Sequence, residues 1–197
     1  MKHIVITVGC ELGSGGVAIG KAIAEELGIE YYDRDLVDKV VEEIGVDKAL
    51  VEQADEGKDV TYEFDTKLGP RFGNLTNRVI YNQIEVIKQL AEQNSCVIIG
   101  RCSDYILRDR KDTLKIFIYA PFEERVKAIE QQRNCTKELA EEIVKNDDEM
   151  MHARYMAITG TNRGDRHNRD ILIDSSVLGW DKTLKYLLQM IDLRFED

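Results

Sequence analysis

The sequence lacks three features that would point to a membrane, secreted or nucleic-acid-binding protein: long apolar runs, paired cysteines and excess positive charge. No apolar run approaches the roughly 20 residues of a membrane span, and the apolar part of the N-terminal MKHIVITVGC is too short for a signal peptide. The four cysteines form no CxxC pair, and no histidine stands at zinc-ligand spacing. We therefore expect a cytoplasmic protein with free thiols, no structural metal and no membrane partner.

Acidic residues outnumber basic ones, and the net charge of −10 argues against a nucleic-acid partner. The excess is uneven, because the stretch from Arg154 to Arg169 contains four arginines and His167 but only one acid, Asp165. An acidic chain that gathers arginine in one short stretch is expected to receive an anion there, although a solvated charged loop has the same composition. The expected partner is a small anionic molecule, and the sequence leaves homodimer formation open.

The order of elements indicates an α/β protein. Five β-branched or apolar runs alternate with helical patterns, and 197 residues fit one domain. Such alternation predicts a mostly parallel sheet covered by helices on both faces. The predicted strands are His3–Gly9, Ile29–Tyr32, Cys96–Gly100, Leu114–Ala120 and Ile171–Asp174.

Apolar spacing and end signals predict the helices between these strands. The first helix follows the glycine-rich turn and ends at Gly28, since glycine suits the left-handed residue after a helix. A mainly helical insertion is predicted over residues 36–94, with an apolar stripe at Ile80, Ile84, Ile87 and Ala91. Further on, Pro121 begins a helix, Thr136 caps another that runs to about Met156, and Trp180–Phe195 is an amphipathic last helix.

Ligands of open parallel sheets bind beyond the carboxyl ends of the strands. In this chain the glycines, arginines and unpaired acids collect at those ends. The segments concerned are Gly9–Gly16, Asp33–Arg34, Arg101–Asp104 and the arginines before the fifth strand.

The glycine-rich segment Gly9–Ala18 has three interpretations. It is a P-loop, whose standard form is GxxxxGK[ST]; it is a dinucleotide-binding turn; or it binds nothing. The dinucleotide pattern GxGxxA is met by Gly13, Gly15 and Ala18, and Asp33 stands where a ribose-binding acid would. In the first two cases glycine lets backbone N–H groups converge on a phosphate at a helix N-terminus.

Two observations count against the dinucleotide interpretation. Gly13 comes four residues after Gly9, whereas the first glycine of that motif closely follows the strand. The spaced form GxxxGxG suits a short-chain dehydrogenase, but no tyrosine in this chain has lysine four residues later. The P-loop interpretation is therefore favoured.

Arginine suits phosphoryl transfer through its permanent charge and bidentate fork. Arg101 directly follows the third predicted strand, while the arginines from Arg154 to Arg169 precede the fifth, in a natural place for a lid. Arg133 is a further candidate. Taken alone, any one of these arginines is equally well explained as a solvent-exposed surface residue.

The chain resembles the cytidylate kinase-like family, within the nucleoside monophosphate kinase branch of P-loop proteins. The resemblance covers nearly the whole chain and rests on ITVGCELGSGG, IGKAIAEELGIEYYDRDLV, VIIGRCSDYIL, KIFIYAPFEERV and GDRHNRDILIDSSVLGWDKTL, in that order. It implies a three-layer P-loop sandwich with a five-stranded parallel sheet, a monophosphate-binding insertion at about 36–94 and a lid at about 134–169. It also implies transfer of the ATP γ-phosphate, with Mg²⁺, to an acceptor such as CMP.

The same resemblance implies roles for individual residues. The ATP phosphates would lie on Gly13, Ser14, Gly15, Gly16, Val17 and Ala18. Arg101 and the lid arginines Arg154, Arg163 and Arg166 would act in catalysis. The acceptor would be bound by Asp33, Arg34, Arg78, Asp104, Asp165 and Arg169.

The chain departs from the P-loop pattern where charge matters most. The lysine position is Gly16, and the following hydroxyl position is Val17 or Ala18. Lys21 stands more than a turn into the helix, too far to reach back, and Ser14 offers a hydroxyl only from another position. Loss of one main positively charged contact with the phosphates costs about 3–4 kcal/mol of transition-state stabilisation. The sequence thus predicts a nucleotide phosphotransferase, with a weakly active nucleotide-binding regulatory protein and an NAD-binding oxidoreductase as alternatives.

Overall fold

The computed structural model describes residues 3–33, 36, 45 and 75–196, of which 75–78 are described by their backbone alone. Most of the predicted insertion therefore lies outside the described residues. The described elements, in chain order, are β1 Val5–Cys10, α1 Gly16–Leu27, β2 Glu30–Tyr32, α2 Leu75–Gln93, β3 Cys96–Ile99, α3 Ser103–Ile106, β4 Thr113–Tyr119, α4 Phe122–Arg133, α5 Lys137–Thr159, a 3₁₀ turn Arg166–Asn168, β5 Ile171–Asp174, α6 Ser175–Leu178 and α7 Trp180–Phe195.

The five strands form one parallel sheet in the order β2-β3-β1-β4-β5. β1 lies at its centre, with Val8 opposite Ile99 on one side and Ile116 on the other. The predicted five-stranded parallel sheet is thereby confirmed. Because parallel neighbours need a crossover, every turn that follows a strand lies at the same edge of the sheet.

Two helical layers cover the sheet, because side chains alternate between the faces of each strand. On one face α1 and α7 bury Ile19, Ile23, Leu187 and Ile191 against β1 and β4. On the other face α2 buries Val86, Ile87 and Ala91 against Cys96 and Ile98 of β3. The described architecture is the three-layer α/β sandwich that the sequence predicts.

Several predicted ends are confirmed by the backbone. Gly28 adopts the left-handed conformation after α1, and Thr136 caps α5 by accepting the N–H of Leu139. β5 and α7 have the predicted bounds. α4 begins one residue after Pro121, and α5 runs three residues past Met156, to Thr159.

The strand order contradicts the dinucleotide interpretation. In a dinucleotide-binding fold the second strand lies beside the first, so its terminal acid reaches the ribose. Here β3 lies between β1 and β2. Asp33 therefore follows a strand about 10 Å from β1, at roughly 4.8 Å per strand spacing. Its carboxylate accepts the backbone N–H of Leu36 at 3.1 Å.

Within residues 3–33 and 75–196, no helix combines the length and apolar character that crossing a bilayer would require.

Candidate active site

A cavity of about 480 Å³ opens beyond the carboxyl ends of the strands. One group of its lining residues, here called the turn wall, belongs to the glycine-rich segment Gly9–Ala18. A second group, the arginine wall, consists of Arg101, Arg154, Arg163 and Arg169. The structure thus brings together three of the predicted strand-end segments.

The turn wall has a shape that requires glycine at two positions. Gly13 and Gly15 have φ of +84° and +80°, which side-chain-bearing residues rarely adopt. Both are also tightly packed. A Cβ atom on Gly13 would lie 2.6 Å from the carbonyl oxygen of Arg125, and one on Gly15 would lie 2.3 Å from the Trp180 ring.

The N-terminus of α1 presents open amide groups to the cavity. The first N–H groups of an α-helix have no partner within the helix. Gly15, the N-cap, has no side chain to cap them, and the first turn of α1 contains no acidic residue. Partial positive charge at this end of a 12-residue helix favours an anion. These open amides are suited to binding an anion such as a phosphate group.

Ser14 does not face the cavity. Its hydroxyl is fully buried and donates to the carbonyl oxygens of Glu11 at 2.7 Å and Ile118 at 3.2 Å. Ser175 in turn donates to the Ser14 carbonyl at 2.7 Å. Ser14 therefore holds the turn against β4 and α6, and its hydroxyl is not available to replace the missing P-loop hydroxyl.

The missing lysine has a structural reason in this chain. A Cβ atom on Gly16 would lie 2.2 Å from Cβ and 2.9 Å from Sγ of Cys10. The end of β1 thus occupies the space that any side chain at position 16 would need. The next residue, Val17, is half exposed and apolar.

Burial raises the pKa of the Cys10 thiol to about 11, so this thiol is neutral and unsuited to nucleophilic attack.

Lys21 lies closer to the cavity than the sequence suggests. It lines the cavity, and its ammonium group is 3.9 Å from Glu25, one turn further along α1. Its side chain is 63% exposed, so the ion pair is weak and the ammonium group is loosely held.

Arg169 is buried and paired rather than presented to solvent. Its Nη1 forms an ion pair with Asp104 and donates to the Tyr155 hydroxyl at 3.1 Å, while Tyr155 donates to Asp104 at 2.9 Å. The Arg169 side chain is 1% exposed. Burial raises the pKa of Asp104 despite the neighbouring guanidinium group. The predicted acceptor residues Asp104 and Arg169 thus contact each other at the cavity.

Arg154 and Arg163 reach the cavity from α5 and from the loop after it. Arg154 is buried and donates to the Gln83 side-chain oxygen of α2 at 2.9 Å. Arg163 donates to the Cys10 carbonyl oxygen at the end of β1, and its Nη1 lies 3.9 Å from Asp148. Arg163 therefore connects the arginine wall directly to the turn wall.

The other predicted residues lie elsewhere or outside the described residues. Arg101 has a left-handed backbone, with φ of +55°, and lines the cavity. Arg166 is exposed in the 3₁₀ turn, and Asp165 caps that turn by accepting the N–H of His167 at 2.9 Å. Hydrogen bonds from His167 lower the pKa of Asp165. Arg34 lies outside the described residues, and Arg78 is described by its backbone alone.

Sequence reasoning missed four residues near the site: Gln83, Arg125, Tyr155 and Trp180. The available signals were weak. Arg125 is a cation in the first turn of a helix, where the helix dipole disfavours it. Trp180 is the one tryptophan of the chain and begins the last helix next to the predicted site. Gln83 and Tyr155 have no local signal.

Fold and site together define the class of protein. A parallel sheet in this order, with a glycine turn between β1 and α1 and arginines from α5 and the loop before β5 at one cavity, is the P-loop kinase type of α/β sandwich. The model of the cytidylate kinase-like family matches residues 5–177. The chain therefore belongs to the cytidylate kinase-like family.

Curated relatives and solved structures agree with this assignment. The cytidylate kinase of Methanopyrus kandleri is 24% identical over 96% of this chain and 93% of its own length. That of Methanocaldococcus jannaschii is 25% identical over 90% of each chain. An uncharacterized protein from Eubacterium ventriosum has a TM-score of 0.77 at 23% identity, covering 97% of this chain and 99% of its own. Shikimate kinase from Acinetobacter baumannii has a TM-score of 0.56 at 15% identity, covering 98% and 96%. Family and fold together support a phosphotransferase.

A P-loop metal ion usually takes one ligand from a hydroxyl of the loop. Val17 and Ala18 carry none, and the Ser14 hydroxyl is engaged. Among the described residues there is no group of three or more His, Cys, Asp or Glu side chains that could hold a metal ion. These residues do not supply the usual Mg²⁺ ligand.

Proposed function

We propose that the protein transfers the γ-phosphoryl group of ATP to a nucleoside monophosphate, with CMP as the first acceptor to test. The observation that carries this proposal is the convergence of two phosphate-binding devices on one cavity. Open amides at the start of α1 meet arginines from the turn after β3, from α5 and from the loop before β5. The choice of CMP rests on the relatives that are described as cytidylate kinases.

The chain's own residues divide the work between binding and neutralisation of charge. Amides of Gly15, Gly16 and Val17 would bind the donor phosphates, and Arg163 would approach them from the lid side. Arg101 and Arg154 would bind charge on the acceptor side of the cavity. Phosphoryl transfer depends on such positioning and charge stabilisation more than on covalent chemistry by the protein.

Mg²⁺ would enter on the ATP phosphates, since Mg²⁺ at such sites keeps several waters and few protein ligands. When bound there, it neutralises phosphate charge. Because the described turn wall supplies no hydroxyl, no step is assigned to a metal held by the protein.

A second candidate is a nucleotide-binding protein with little or no transfer activity. One observation favours it: Cys10 fills the space that a lysine at position 16 would need. Removal of one main electrostatic contact costs about 10²–10³ in kcat. The arginine wall must replace that contact if transfer is to be efficient.

ADP release measured with CMP, the other nucleoside monophosphates and nucleosides tests the proposal. We expect turnover with at least one monophosphate, its loss in Gly15→Val, and its retention in the exposed Arg108→Met. Calorimetry with ATP separates the two candidates. ATP binding without transfer to any acceptor supports the binding protein, and neither binding nor transfer contradicts both. Fluorescence of Trp180, which packs on Gly15, gives a second binding signal.

A further inference from the structure

Arg125 is a buried cation that the proposed roles leave unexplained. It lies in the first turn of α4, where the helix dipole opposes a positive charge. Its side chain is nevertheless only 6% exposed. Arg125 is not among the cavity-lining residues in the part of the chain that the structure describes. Since a buried guanidinium group is stable only with partners, its contacts indicate what it holds.

The first contacts of Arg125 are with the turn wall. Its Nε lies 3.2 Å from Oε2 of Glu11 and donates to the Ala120 carbonyl at 3.1 Å. The same Glu11 oxygen accepts the N–H of Ala120 at 3.3 Å. The main chain of Arg125 also packs against Gly13, where an added Cβ would lie 2.6 Å from the Arg125 carbonyl oxygen. Arg125 thus fixes two points of the turn relative to the end of β4.

A second set of Arg125 contacts is with α5. Its Nη1 and Nη2 donate to the two carboxylate oxygens of Asp148 in α5, at 3.0 Å and 2.8 Å. Asp148 is shared, because Nη1 of Arg163 lies 3.9 Å from it. Arg163 then donates to the Cys10 carbonyl, back on the turn. Glu11, Arg125, Asp148 and Arg163 therefore form a chain of alternating charges, here called the charge chain, that begins and ends on the turn wall.

We propose that Arg125 is a positioning residue for phosphoryl transfer, which holds the glycine turn and, through Asp148, sets the position of Arg163. This inference rests on the proposed function and adds to it the residue that aligns the two walls of the cavity. The planar fork of arginine makes this possible, since one group meets Glu11 and both oxygens of Asp148 at once. The ammonium group of lysine is a point charge and cannot reproduce these contacts.

The first experiment measures the coupling without any ligand. Amide hydrogen exchange of Gly13–Gly16 is followed in the wild type, Arg125→Lys, Asp148→Asn and the exposed control Arg108→Met. Local opening that depends on the charge chain is visible in such exchange. We expect about tenfold faster exchange in the first two variants, within the usual coupling between contacting charges. Exchange equal to that of Arg108→Met would overturn the proposal, whatever the activity of the protein.

The second experiment asks whether Asp148 acts through Arg163. Asp148→Asn should lower kcat about tenfold or more with a small change in KM for ATP, since small misplacement of a charged group has large effects on rate. In an Arg163→Met background the same change should have little further effect. Equal losses in both backgrounds would show that Asp148 acts independently of Arg163 and would contradict the proposal.

The two experiments separate this inference from the proposed function. Absence of ATP binding and transfer in the wild type removes the function, and the exchange experiment still decides whether the charge chain holds the turn. Where Arg125→Lys fails to fold, Asp148→Asn and Glu11→Gln provide nearly isosteric replacements at the other ends of the same contacts.

Discussion

The turn wall and the arginine wall line one cavity but are held in place by different forces. The turn wall is fixed by close packing of backbone: Gly13 lies against Arg125, Gly15 against Trp180 and Gly16 against Cys10. The arginine wall is fixed by partners for its charges, such as Asp104 for Arg169 and Gln83 for Arg154. The turn wall is therefore sensitive to added volume as well as to loss of the charge chain, whereas the arginine wall is sensitive mainly to lost charge.

The comparison also separates cavity arginines whose charge is engaged by a partner from one that reaches the turn. Arg169 and Asp104 largely neutralise each other in a buried pair, and Arg154 is held by α2. Arg163 belongs to the arginine wall and contacts the turn directly. In the proposed function, Arg163 would replace the P-loop lysine, and its position would then be a requirement for binding phosphate.

The largest expected effect comes from Arg169→Met, which removes the partner of the buried Asp104. Breaking one side of a buried ion pair typically costs about 3–5 kcal/mol of unfolding free energy. The pKa of Asp104 is already raised by burial and should rise further in the variant. The penalty is therefore smallest in acid, where the carboxyl is protonated, and grows as pH rises through the raised pKa. Urea unfolding at several pH values measures it.

Arg110→Met is the matched control, because Arg110 forms a more exposed pair with Asp112 at 2.6 Å. We expect a loss of at most about 1 kcal/mol there. Equal losses in the two variants would mean that the arginine wall is not held by buried charge.

Next in size is the effect of Arg163→Met on transfer. Because Arg163 lines the cavity and contacts the turn, its loss should lower kcat by about 10²-fold. Lys21→Met removes the exposed lysine of α1 and should lower kcat by less than about fivefold. ADP release under saturating ATP measures both. A larger effect of Lys21→Met would assign the missing lysine's role to α1 instead of the lid.

The sequence predicts the elements better than it predicts contacts between them. Bounds of β5 and α7 follow from local spacing, and Thr136 and Gly28 mark helix ends by their own chemistry. Glycine spacing likewise locates the turn wall. Each of these features is set by residues that are close together in the sequence, so the local pattern is enough to predict it.

Contacts of the arginines could not be predicted, because their partners lie far away in sequence. Arg169 pairs with Asp104, and Arg163 donates to the backbone carbonyl of Cys10. Since every residue has a backbone carbonyl, the identity of Cys10 does not indicate this contact. The sequence places arginines near the cavity but gives no means to separate a paired arginine from one that meets the turn. The strand order, which rules out the dinucleotide interpretation, depends on the same long-range packing.

A smaller effect is expected from Gly16→Ala, which adds volume to the turn wall. The new Cβ would lie 2.2 Å from Cβ of Cys10, so β1 and α1 must move apart. Overpacking of this kind costs about 1–3 kcal/mol. We expect lower stability and weaker ATP binding, measured by urea unfolding and calorimetry. Cys10→Gly in the same chain removes the clashing atom and should restore part of both. Failure of that second change to restore either would show that the contact is not the cause.

The smallest expected effect is on stability in Glu11→Gln, and its sign is informative. Burial raises the pKa of Glu11, although the Arg125 guanidinium and the Ala120 amide lower it. A carboxyl with a raised folded-state pKa contributes stability that is present below its ordinary pKa of 4.5 and lost as pH rises through the folded value. Glutamine imitates the protonated form, so the variant should match the wild type in acid. At neutral pH it removes the cost of burying a carboxylate but also a charge partner of Arg125, so the two effects offset and the change should stay below about 1 kcal/mol. Unfolding curves across this pH range measure the difference. A variant less stable than the wild type by more than this at neutral pH would mean that Glu11 stabilises the fold, and not only the alignment of the turn with Arg125.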